Sequence, residues 1–131
     1  MTKPVDRKKS QNYLTKAENL LEVARYALSQ KKYDATVINA VHSAINTLDA
    51  FTTYEKGLRA SGEHDEILYL IKSILTPKEY DDIKKQFSSL LDLKNAAEYQ
   101  PDFMSSEEAK NSIKWAERIL AKVKTKLQKR A

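Results

Sequence analysis

Residues 34–59, DATVINAVHSAINTLDAFTTYEKGLR, decide the fold. Val37, Ile38, Val41, Ala44, Ile45, Leu48 and Phe51 recur at helical spacing but cover more than one face. The segment therefore reads as the longest helix and the central one, packed on several sides. Gly57, Ser61 and Gly62 mark its end. The same rod carries Asn39, His42, Asn46 and Asp49 at steps of three, four and three, which place all four on one face. Buried polar side chains need partners. This stripe is thus either a hydrogen-bonded seam, in the bundle or at a dimer contact, or the border of a binding cleft.

Working outward, helical periodicity continues on both sides. A first helix is expected from about Ser10 to Gln30, with Leu14, Ala17, Leu21 and Ala24 on its inner face, and Lys31-Lys32-Tyr33 as the corner. A shorter third helix is expected from about Glu63 to Leu75. Thr76-Pro77-Lys78-Glu79 then combines a capping threonine, a proline at the first helical position and a glutamate three residues after the cap. It opens a fourth helix running to about Tyr99. Ser105-Ser106-Glu107-Glu108 is a second capping box, starting a last helix with Ile113, Ala116, Leu120, Val123 and Leu127 inward. The expected fold is all-α, an antiparallel four- to five-helix bundle without a sheet.

Composition narrows function. The chain has 131 residues, 41% hydrophobic and 31% charged, with two glycines and no cysteine. One domain fits, read as a basic leader over 1–9 and a helical domain over 10–131. Two glycines cannot build a phosphate-cradling GxGxxG or Walker loop. The missing cysteines exclude disulfides, thiolate metal sites and cysteine nucleophiles. Two separated histidines without a carboxylate cluster give no metal site, and no cofactor is expected. No apolar run approaches the roughly 18 residues of a membrane span, and no secretory signal follows MTKPVDRKKS, so a soluble, cytoplasmic protein is expected.

The net charge of +5 belongs to the ends. Lys3, Arg7, Lys8 and Lys9 face only Asp6 in the leader, and Arg118, Lys122, Lys124, Lys126, Lys129 and Arg130 have no acid among them. Such ends attract phosphate backbones, and they also simply solvate a helix terminus. Lys122, Lys126 and Arg130 are the candidate nucleic-acid contacts. Asn39, His42, Asn46 and Asp49 are the candidate binding cleft.

The order and spacing of four stretches resemble the HEPN family. They are YLTKAENLLEVARYAL (13–28), KKYDATVINAVHSAINTLDAF (31–51), a histidine opening the third helix at His64, and LLDLKNAAEYQPDFMSSEEAKNSIKWAERIL (90–120). The resemblance implies small helical bundles that usually dimerise. Many act as metal-independent endoribonuclease toxins beside a minimal nucleotidyltransferase antitoxin. It also implies an arginine, a polar follower and a histidine in the cleft between protomers. Arginine would clamp the scissile phosphate, and histidine would move the proton of the ribose hydroxyl. The matching positions here are Lys94, Asn95 and Tyr99. Lysine keeps the charge without the planar fork, and a phenol is a poor base at neutral pH. The literal Arg59-x4-His64 spacing falls across the loop between the second and third helices and is read as one helix ending and another beginning.

The resulting expectation is a homodimeric HEPN-like domain that binds RNA or nucleotide, or pairs with a minimal nucleotidyltransferase, with ribonuclease activity weak or lost. Two alternatives stand beside it. One is an active endoribonuclease with His42 or His64 as the base. The other is a non-catalytic interaction bundle.

Overall fold

The computed structural model describes residues 2–61 and 64–130, the last two of these by backbone alone. Five helices form the bundle: α1 (Ser10–Ser29), α2 (Tyr33–Lys56), α3 (His64–Lys72), α4 (Pro77–Tyr99) and α5 (Ser106–Arg130). Helix accounts for 82% of the structure, and the all-α bundle is the observed fold.

Both capping boxes do what their residues dictate. The Thr76 hydroxyl accepts from Glu79 N–H at 3.2 Å while the Glu79 carboxylate accepts from Thr76 N–H at 3.0 Å. Ser105 and Glu108 repeat the exchange at 3.0 and 2.9 Å. Orphaned amides at both helix starts are thereby satisfied.

Helix α2 is the axis. It packs against all four other helices and carries residues of both apolar clusters. Val37, Val41, Leu48 and Phe51 meet Ile71, Ile83, Phe87 and Ile119 in one; Ala40 and Ala50 meet Leu14, Leu21 and Ile113 in the other. Small residues let α1 approach closely: Ser43 Oγ donates to Ala17 O and Ser10 Oγ to Ala50 O, both at 2.7 Å. Those pairs run in opposite chain directions, as do Glu18–Lys124 and Arg25–Glu117 between α1 and α5. The neighbours are therefore antiparallel.

The expectation of no sheet is corrected by a small one, and α2 stops earlier than the sequence suggested. Gly57 adopts φ 65° and donates to Thr53 O at 2.9 Å, ending the helix at Lys56 instead of near Arg59. Glycine enters this left-handed region without a Cβ penalty. The chain leaves extended, and β2 (Leu58–Ala60) pairs antiparallel with β1 (Thr2–Pro4). Residues 2–9 are thus built into the fold, with a 3-10 turn at Arg7–Lys9 leading into α1.

Candidate nucleic-acid interface

The polar stripe of α2 divides. Asn39 and Asn46 donate to the carbonyls one turn back, Ala35 O at 2.8 Å and His42 O at 2.9 Å, so both are half-buried and satisfied within their own helix. His42 is exposed. Asp49 is 7% exposed beneath the small sheet's end of α2. Burial pushes its carboxyl up to about 6, opposed by the Arg59 guanidinium on β2.

His42 has company from two other helices. His64, at the start of α3, lies close enough to Lys94 of α4 and to His42 to feel both charges. Burial first, then Lys94, then His42 hold its imidazolium below the ordinary histidine range, with Asp65 opposing. The ring meets Phe87 edge-on, centroids 6.1 Å apart. Lys94 Nζ donates to Glu98 Oε2 at 3.0 Å, and its side chain is 15% exposed. The literal Arg59/His64 pair is split, since Arg59 acts on Asp49 and His64 is placed among His42, Lys94 and Phe87.

The other candidates lie elsewhere. Tyr99, at the end of α4, is 78% exposed, and Asn95 is exposed too. Five residue steps lead from Lys94 to Tyr99, a rotation of about 140° around the axis of α4. Lys122 and Lys126 converge on Glu79, at 3.8 and 2.6 Å. The Lys126 bond, then the Thr76 amide, hold the Glu79 carboxyl down to about 2. The side chain of Arg130 lies outside the described residues.

Reading residues along the chain missed two relations: the charges of Lys94 and His42 both reaching His64, and Glu79 pairing with the last helix. Both join elements far apart in sequence and leave no periodic signal. The signal that was visible is His42 in the polar stripe of the central helix, whose charge reaches His64. Among the described residues, no three His, Asp or Glu side chains gather to hold a metal ion. No helix among them is long and apolar enough to cross a membrane.

A five-helix bundle packed around one central helix on several sides defines a small all-α domain. The family model of the HEPN domain matches residues 10–126, and the chain belongs to that family. The fold is similar to the crystal structure of TT1696 from Thermus thermophilus, at a TM-score of 0.75 and 20% identity, over 90% of this chain and 98% of that one. No curated protein matches in sequence.

Proposed function

We propose that this HEPN domain is a cytoplasmic homodimer that binds RNA or nucleotide phosphate on the face bearing His42, His64 and Lys94, and cleaves RNA weakly or not at all. The proposed partner is a minimal nucleotidyltransferase in a toxin–antitoxin-type pair. The observation that carries the reading is that Lys94 of α4 and His42 of α2 both act electrostatically on His64 of α3, which stands edge-on to Phe87. Cationic or protonatable groups crowded together favour an arriving phosphate, which relieves their repulsion. Asn39, Asn46 and the exposed Asn95 supply amide groups near or beside that face. The dimer in this reading is argued from Lys94 and the exposed Tyr99, which lie about 140° apart around one helix, so that a second chain would complete a common cleft. Weak cleavage follows from Lys94 sharing its charge with Glu98 and from the phenol at position 99.

The test is RNA affinity by fluorescence anisotropy beside a cleavage assay. Lys94→Gln should weaken binding about tenfold, the cost of one hydrogen bond to a charged group, with wild-type cleavage negligible. Unchanged affinity would remove the face from the proposal. A second reading, a working ribonuclease, is favoured by one observation: the lowered pKa keeps the His64 imidazole neutral at neutral pH, fit to accept a proton. Wild-type cleavage lost in His64→Gln would establish it.

A further inference from the structure

The basic leader forms one wall of a hollow. Pairing of β1 with β2 anchors its start, and Val5 N–H donates to Gly57 O at 2.9 Å. The Asp6 carboxylate accepts from Lys8 N–H at 2.9 Å, and the Ser10 hydroxyl ties the turn's end to Ala50. The backbone that carries Arg7 and Lys8 is therefore set in place. Gly57 belongs to the same arrangement, since a Cβ there would stand 3.3 Å from Arg7 Nε.

Between this turn, α1 and the last turns of α5 lies a hollow of about 540 Å³, with Arg7, Lys8, Leu14, Tyr54, Lys124 and Leu127 among its walls. That size suits a small organic ligand. A second hollow of about 610 Å³ adjoins it, sharing Arg7, Lys8 and Tyr54 and adding Glu55. The charges are not equivalent. Lys124 is committed to Glu18 at 3.0 Å. Arg7 and Lys8 make no ion pair among the described residues. Each hollow has one acid in its wall, Glu18 in the first and Glu55 in the second, but Lys124 also lines the first and matches Glu18, so Arg7 and Lys8 remain its surplus charge and an anion belongs there.

We propose that the first hollow binds a phosphate monoester of an apolar or aromatic alcohol. Its phosphate sits at Arg7 and Lys8, and its body rests on Leu14 and Leu127 beside Tyr54. Two monocations match the double charge of a phosphate monoester, which a carboxylate carries only half of, and arginine's fork suits phosphate oxygens. The anchored leader lowers the ordering cost of binding. The site is separate from the His42/His64/Lys94 face and stands without it.

Calorimetric titration of the full chain with phenyl phosphate, inorganic phosphate and phenol, at mildly alkaline pH, tests it. Phenyl phosphate should bind at least about tenfold more tightly than either fragment, because charge and apolar burial both contribute. Arg7→Gln with Lys8→Gln should weaken it about tenfold or more. Gln11 is exposed and also lines the hollow. Gln11→Glu should weaken binding by repulsion while the melting temperature holds, since an acid suits the first turn of α1. Equal affinity for inorganic phosphate or phenol, binding unaffected in both variants, or no binding of phenyl phosphate would each overturn the proposal.

Discussion

The closing turns of α5 and the face shared by α2, α3 and α4 both carry lysines with carboxylate partners, across helices in the first and within one helix in the second. At the end of α5, Lys122 and Lys126 share Glu79, and Lys124 holds Glu18. The carboxylate gains, and Glu79 is drawn down to about 2. On the other face, His64 meets burial, Lys94 and His42, with Asp65 the opposing acid, and is pushed toward its neutral form. Lysines with carboxylate partners tie helices together. On the second face Lys94 pairs with Glu98 inside its own helix, and the burden of neighbouring charge falls on His64. A count of basic residues along the chain ranks the α5 end first, and pairing withdraws charge on both sides of the comparison.

The largest effect that would sharpen this contrast concerns Asp49, the buried acid of α2 opposed by Arg59. Its carboxyl rises from 3.8 to about 6, so the folded state binds the proton more tightly than the unfolded chain does. The stability this group contributes is full below 3.8 and is lost as pH rises through about 6. Asp49→Asn removes that loss. It should stabilise the protein at mildly alkaline pH by about 2 kcal/mol, with the gain vanishing in acid. Urea unfolding across pH checks it. Destabilisation at alkaline pH would mean that the Asp49–Arg59 attraction outweighs the cost of burying the charge.

Much of the fold was legible because its signals are local. Thr76–Glu79 and Ser105–Glu108 each place cap and partner within four residues, and the two-faced apolar pattern of 34–59 announced a central helix. The sheet was not legible. Three residues after Gly57 pair with three near the start, and neither strand is long enough to show alternation. The candidate site was half legible. His42 stood out on α2, but its meeting with His64 and Lys94 depends on how α3 and α4 pack over Phe87. The lysines of α5 looked free because Glu79 lies more than forty residues away.

An intermediate effect breaks the α5 side of the comparison. Glu79→Ala removes half of a capping box and the partner of two lysines, and should cost about 1 kcal/mol, most of it the cap, because solvent screens part of the ion pairs. The folded-state pKa lies below the ordinary 4.5, so this group's contribution is present above 4.5 and is lost as pH falls toward about 2. The variant's unfolding curve should accordingly be flatter than wild type over that acid range. An undiminished acid slope in Glu79→Ala would assign it to other carboxylates.

The smallest expected effect decides whether pairing really withdraws charge from RNA. A lysine that neutralises a phosphate on a single strand contributes about 0.7 to the salt slope of binding. Two free lysines would contribute about twice that. Lys122 and Lys126 must first give up Glu79, and Lys126 gives up a 2.6 Å contact. Lys122→Gln with Lys126→Gln should therefore change the slope by less than one lysine's share, about 0.7, in the otherwise wild-type chain. The same two changes made on top of Glu79→Ala should remove a larger share, because there neither ammonium group must give up Glu79 to reach phosphate. Anisotropy titrations over a salt series distinguish the cases. If the paired lysines prove as effective as free ones, the carboxylate is no barrier to RNA, and the α5 end joins the interface on equal terms with the His42/His64/Lys94 face.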